Sequence, residues 1–254
     1  MIKFFRHIRR SLLNENKMGK YFKYAIGEIL LVVIGILIAL QVNNWNEKRK
    51  QSDYEKQLLS QLKLDFNRNI NDIKFNIKLQ NRIINSSKLI LQHLENKQPY
   101  HDSLSAHFGT TVLWTKFIVN EGAYKSIESQ GLDIISDLEL RDLTFRIFED
   151  KLNWLRQMEN TIIDLTEDFR KGEAAKYFTA LNPIVIKDGR FADGWAQLID
   201  YPMLLSEEGQ SYILYLNTVI NETEILLSIT KSYLDEHEQG ITKIDSILNF
   251  TAND

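Results

Sequence analysis

The sequence predicts an all-α protein: one N-terminal transmembrane helix followed by an elongated antiparallel helical bundle. Three observations carry that expectation. An unbroken apolar run lies near the N-terminus, from Ile29 to Leu40. A Pro- and Gly-free stretch with seven-residue hydrophobic spacing follows, from Asn46 to Lys97. The whole chain of 254 residues holds only three prolines and eleven glycines, too few for the many turns a strand-rich fold needs.

The apolar run is YAIGEILLVVIGILIALQV, Tyr24 to Val42. With its flanks it reaches roughly 18 residues, enough to cross the hydrocarbon of a bilayer. Residues 1–24 carry Lys3, Arg6, Arg9, Arg10, Lys17, Lys20 and Lys23 against Glu15, about six net positive charges. The chain as a whole is at −3, so the part beyond the span is strongly acidic. A short basic flank stays in the cytoplasm, so the C-terminal part is the exported one. A cleaved signal peptide fits less well. The leader is long and Ala39 offers a poor cleavage site.

These features divide the chain into a basic amphipathic cytoplasmic leader (1–23), a transmembrane helix (24–44) and a periplasmic helical domain (45–254). In MIKFFRHIRRSLL, Phe5, Ile8 and Leu12 share a helical face while Arg6, Arg9 and Arg10 fill the others. That pattern suits an anionic inner membrane surface. Lys20 and Lys23 flank the span at the inner interface, Tyr21, Phe22 and Tyr24 form an aromatic belt, and Trp45 marks the opposite interface.

Glu28 is the one charge inside the span. At 100° per residue, Gly35 and Ala39 each fall within about 20° of Glu28, on opposite sides of it. Such a small-plus-polar stripe suits close packing against another transmembrane helix. The alternative is that Glu28 snorkels toward Lys20 or Lys23.

NKMGKYFKYAIGEILLVVIGILIALQVNNWNEKRK resembles the opening of an uncharacterised Bacteroidota family of single-pass membrane proteins with a domain of unknown function. AYKSIESQGLDIISDLELRDLTFRIFE is similar to that family's pattern of a tyrosine helix, a glycine and an LR-containing helix. The resemblance implies a Gram-negative inner membrane and a periplasmic ectodomain. It brings no activity and no catalytic residues.

Beyond the span, Leu59, Phe66, Ile73, Gln80, Ser87 and Leu94 recur every seven residues. Lys63, Ile70, Ile77, Ile84 and Leu91 form a second row, and Leu62, Ile83 and Ile90 a third. The stripe is wider than a two-stranded coiled coil needs, so the helix is expected to pack in a bundle. Gln98-Pro99-Tyr100 ends it. VLWTKFIV (112–119) fits a helix or a strand, and a helix is the favoured reading. Gly131 caps a short helix over 121–130. Ser136-Asp137-Leu138-Glu139 reads as a capping box opening a helix to about Lys171. Residues 172–205 are irregular, with an extended piece at Ile184 to Ile186 and a short helix at Trp195 to Ile199. Ser206 starts the last helix, whose periodic row is Leu216, Ile220, Leu227, Leu234, Ile241 and Leu248.

The chemistry-bearing residues form no known motif. There is no cysteine, which excludes disulfides, thiolate ligands and cysteine nucleophiles. His93, His101 and His107 match no zinc spacing and read as surface histidines. The acidic residues around His237, and the pairs Glu149-Asp150 and Glu167-Asp168, read as solvated faces. No catalytic, cofactor-binding or metal-binding residues are expected, and an acidic exported domain does not suit nucleic acid. The expectation is a membrane-anchored, non-enzymatic scaffold. Its partners would be the lipid bilayer and other membrane or periplasmic proteins, or a second copy of itself. The alternative is a sensory or regulatory module acting through a membrane partner.

Overall fold

The computed structural model describes residues 18–187 and 190–250. Two compact units are distinguished, Met1–Lys56 and Gln57–Asp254. The described part of the first is the N-terminal portion of a single helix, α1 (Met18–Glu95). Residues 1–17 of the basic leader, with Arg6, Arg9 and Arg10, lie outside the described residues.

The second unit contains the rest of α1, then α2 (Leu104–Thr110), α3 (Gly122–Gln130), α4 (Leu138–Phe145) and α5 (Leu152–Lys171). A short α6 (Ala174–Tyr177) leads into β1 (Phe178–Lys187) and β2 (Arg190–Leu198). A one-turn α7 (Tyr201–Leu204) and the long α8 (Gln210–Phe250) complete it. The chain is predominantly helical, but not all-α. β1 and β2 form an antiparallel pair, with Leu181 opposite Ala196 and Val185 opposite Ala192. The expected short helix at Trp195–Ile199 is therefore wrong, because β2 runs through most of it. The alternation in FADGWAQL, with Gly194 and Ala196 buried and Trp195 and Gln197 exposed, is a strand period.

Each long helix buries two rows of seven-residue spacing. On α1 they are Leu59, Phe66, Ile73, Gln80, Ser87, Leu94 and Leu62, Asn69, Asn76, Ile83, Ile90, all buried. Of the expected row through Lys63, Ile70, Ile77, Ile84 and Leu91, Ile70 and Ile84 are buried and the other three partly buried. On α5 the rows are Phe148, Leu155, Ile162, Phe169 and Leu152, Glu159, Thr166, with Phe148 in the turn just before the helix. On α8 they are Tyr212, Val219, Leu226, Tyr233, Gly240 and Leu216, Thr223, Thr230, His237, Ile244. The last pair corrects the expected α8 row, of which Leu216 alone is fully buried and the other five are partly buried. Paired rows of this kind are the seam of helix packing at near-coiled-coil geometry.

α8 runs antiparallel to α1. Lys63 pairs with Asp245, Lys74 with Glu238 at 2.9 Å, and Lys88 with Glu224 at 2.6 Å. The partner number on α8 falls as that on α1 rises. These exposed pairs contribute little stability each, roughly 0–1 kcal/mol, and mark the register more than they hold it.

The apolar side chains fall into two clusters. One joins Leu59, Phe66 and Ile73 of α1 with α3, α4, α5 and the C-terminal half of α8. The other joins Ile83, Ile90 and Leu94 with α2, the strand pair and Tyr212, Leu216 and Val219 of α8. α1 ends in a Schellman motif, in which Gln98 N–H donates to the His93 carbonyl and Lys97 N–H to that of Leu94. Lys97 takes the left-handed conformation there, at φ 50°. The expected glycine cap is present at Gly131, φ 99°. At 136–139 the helix cap is Asp137, which accepts from Leu140 N–H, and not Ser136. The expected single helix to Lys171 is divided by a π-helical turn, Arg146–Lys151, where Phe148 stacks on Tyr124 with centroids 4.4 Å apart.

Gly240 sits in a core row because no larger residue fits. A Cβ there would stand 2.4 Å from Cε2 of Phe66. Phe66 is fully buried between Phe148 and His237, so its ring has nowhere to move. Gly240→Ala would add about 1 kcal/mol of helix propensity but overpack the core by roughly 1–3 kcal/mol. Thermal unfolding followed by circular dichroism should show a lower Tm for this variant. An unchanged or higher Tm would mean that the two helices can separate without cost.

Candidate functional site

The segment from Leu113 to Glu121 has no helix and no strand partner, contrary to the helix expected over 112–119. It is extended. Leu113, Thr115 and Phe117 are buried while Trp114, Lys116 and Ile118 are exposed, a two-residue period. An extended chain outside a sheet must place its backbone polar groups elsewhere. Here side chains of the neighbouring helices take them.

The row on α1 is Asp65, Asn69, Asp72, Asn76 and Gln80, spaced four, three, four and four residues apart along one side of the helix. Asp65 Oδ2 accepts from Ala123 N–H at 2.8 Å and so caps the N-terminus of α3 from another helix. Asn69 Oδ1 accepts from Asn120 N–H at 2.7 Å, and its Nδ2 donates to the Asn120 carbonyl at 3.0 Å. That is a full backbone pairing by one side chain. Asp72 Oδ2 accepts from Ile118 N–H at 3.0 Å and from Asn76 Nδ2 at 2.9 Å. Gln80 Nε2 donates to the hydroxyls of Thr115 and Thr230, both at 3.2 Å. From α5, Glu159 Oε1 accepts from Phe117 N–H at 2.7 Å.

Glu159 and His237 are buried titratable groups of this region, at 2% and 0% exposure. Burial pushes the Glu159 carboxyl up to about 7, against the Phe117 N–H bond and the nearby charge of Lys116, which lower it. Its second oxygen, Oε2, has no protein hydrogen-bond partner. Burial pushes His237 down to about 4, opposed by its bond to the Tyr233 carbonyl at 2.8 Å. His237 Nε2 also lies 3.3 Å from Asn69 Nδ2. Of the acids around His237 that read as a solvated face, Asp235 and Glu238 are exposed and Glu236 is partly buried, while the histidine itself is buried. Sequence reading missed Glu159 as well. The available signal was its place in the seven-residue row between Leu152 and Thr166.

The residues expected at the membrane lie on α1. Glu28 is half-buried and interacts within the chain, whereas Gly35 and Ala39 are exposed. The helix is unbroken through all three, so they share a face, and a Cβ at Gly35 would meet nothing within 4 Å. Lys23 is exposed. Lys20 is helical, and its side chain lies outside the description. Trp45 is exposed, with the Arg49 guanidinium 5.5 Å over its ring. Among the described residues no three His, Asp or Glu side chains cluster as a metal site would require.

A sequence profile of one family matches residues 28–179, more than half of the chain. The chain belongs to a family of unknown function (DUF6090). The family match takes in the apolar run from Glu28 onward, the remainder of α1, the extended segment and α5. The polar row and Glu159 therefore lie within the family region, and α8 lies outside it. No curated protein and no solved structure matches the chain significantly.

The two buried groups act on stability with opposite sign. Glu159 has a folded pKa above its unfolded value of about 4.5, so the folded state binds the extra proton between pH 4.5 and 7. Its contribution is fully present below 4.5 and is lost as pH rises through 7. His237 has a folded pKa below its unfolded value, so its contribution grows as pH rises from 4 to 6.5. Glu159→Gln keeps an acceptor for Phe117 N–H and removes the titration. Urea unfolding from pH 4.5 to 7.5 should show the parent losing stability relative to this variant, by on the order of 3 kcal/mol. Parallel pH profiles would show that Glu159 stays ionised in the folded protein.

Proposed function

We propose that the protein is a bitopic inner-membrane protein whose helical domain stands in the periplasm of a Gram-negative bacterium and serves as a scaffold for other proteins. The carrying observation is the exposure of the apolar part of α1. Leu31 and Ile38 are each 60% exposed, and none of the most apolar window of this helix is buried in the chain. Each such side chain left in water forgoes roughly 1.5–3 kcal/mol, so the run requires a bilayer or another apolar cover. The basic residues before it and the acidic excess after it orient the anchor with its N-terminus in the cytoplasm. The domain is non-enzymatic in this reading. The Glu28, Gly35 and Ala39 face is the surface where a second transmembrane helix, of a partner or of another copy, packs.

One observation favours the second reading, a sensory or regulatory module. The exposed side of the extended segment borders a groove of about 470 Å³ with aromatic and cationic walls. That volume lies in the range of small-molecule sites.

Orientation is tested directly. A reporter that works only after export, fused behind Asp254, should be active in intact cells. Activity confined to a cytoplasm-dependent reporter at the same position would reverse the proposed topology.

A further inference from the structure

A basic and aromatic cluster lies just beyond the apolar run, within the first unit. The run ends at Val42, and α1 continues without a break through NNWNEKRK (43–50). Trp45 is 62% exposed, and Lys48, Arg49 and Lys50 are exposed too. At 1.5 Å per residue, Trp45 stands about 4 to 5 Å past Val42 along the helix axis, and Lys48 and Arg49 about 9 to 10 Å. The headgroup layer of a bilayer is about 5 to 7 Å deep on each side of the hydrocarbon. The indole falls within that layer. Lys48 and Arg49 start at its outer edge, and their long side chains reach back into it. Spacings of three and four residues put both on the same side of the helix as Trp45.

Two of the cations are uncompensated. Lys50 is engaged by Glu47, at 3.4 Å. Among the described residues no carboxylate pairs with Lys48 or Arg49. The Arg49 guanidinium lies 5.5 Å over the Trp45 ring, which is neutral and leaves its charge intact. The next acid, Asp53, is exposed about one turn farther from the apolar run. The leader carries the larger positive charge and sets the orientation, so basic residues on the exported flank need a local reason.

We infer that Trp45, Lys48 and Arg49 hold the phosphate of an anionic phospholipid in the leaflet on the exported side. A guanidinium meets two phosphate oxygens at once, and an ammonium adds a point charge beside it. The indole sits at headgroup depth and supports the guanidinium from one face. A zwitterionic headgroup carries the same phosphate but brings its own cation, which Lys48 and Arg49 repel. A headgroup of net negative charge brings none. The inference rests on the membrane-anchor reading, and it holds for a scaffold and a sensor alike.

The test uses the full chain in nanodiscs that contain, at equal mole fraction, either phosphatidylglycerol or phosphatidylcholine brominated in the upper acyl chain. Bromine quenches a tryptophan that it touches. Subtracting the fluorescence of Trp45→Phe from that of the parent isolates this indole. Brominated phosphatidylglycerol should quench it with about threefold higher apparent affinity than brominated phosphatidylcholine. The double variant Lys48→Gln, Arg49→Gln changes two exposed side chains and should leave the circular dichroism unchanged. By the same subtraction it should bring the two lipids to equality. Equal quenching by both lipids in the parent would overturn the inference. So would a preference that the double variant retains. Quenching by neither lipid would remove the anchor reading, and the inference with it.

Discussion

The domain depends on how an extended stretch of backbone is held among helices. Residues 113–121 have neither a helical ladder nor a strand neighbour, yet Phe117 lies in the middle of the first apolar cluster. Burying that backbone without partners would cost about 1–3 kcal/mol for each unmet group. Asp65, Asn69, Asp72 and Glu159 meet four N–H groups between Phe117 and Ala123, three of them with a carboxylate. Those accepted by Asp65 and Asp72, as hydrogen bonds to charged groups, are worth roughly 1.5–3 kcal/mol each. The same bonds fix the entry to α3 and lay Leu113, a member of the second cluster, and Phe117, a member of the first, on one continuous segment. The extended segment thereby links the two cores.

This device explains why the sequence was legible in one respect and not in another. The first seven-residue row of α1 is plain because it is mostly apolar. The second row is Leu62, Asn69, Asn76, Ile83 and Ile90, and its two asparagines hide it from a hydrophobic count. Those asparagines are buried because they serve the extended segment and its carboxylate. On α8 the true rows contain Tyr212, Thr223, Thr230, His237 and Gly240, so a neighbouring set of leucines and isoleucines looked more regular. Glu159 is hidden for the same reason. VLWTKFIV reads as a helix or a strand by composition, and nothing local decides between them. The decision comes from residues some 40 positions away on either side. The extended piece expected at Ile184 to Ile186 lies within β1, but its length and its partner β2 escaped the sequence for a simpler reason. Prolines and glycines within 172–205 suggest irregularity, and pairing depends on contacts with α2 that no local pattern reveals. One such contact is visible at Gly109, where a Cβ would stand 2.6 Å from the backbone nitrogen of Trp195.

The long apolar run of α1, a candidate membrane span, was the easiest to read, because it needs only composition and length. α1 carries both the apolar run and the polar row that organises the extended segment. The groove bordered by Trp114, Lys116 and Ile118 follows from the same arrangement. In a strand every second side chain must face outward once the others are buried. Fixing Leu113, Thr115 and Phe117 inside therefore commits three consecutive alternates to the surface beside Phe75 and Leu79.

Amide hydrogen exchange of the full chain in nanodiscs tests the central claim most directly. The amides of Phe117, Ile118, Asn120 and Ala123 should exchange as slowly as those of the helical core, although three of them lie outside any helix or strand. Asn69→Ala should release Asn120 first, while the helices stay protected. Exchange of these four amides at the rate of an unstructured chain, in a protein whose helices remain protected, would contradict the account.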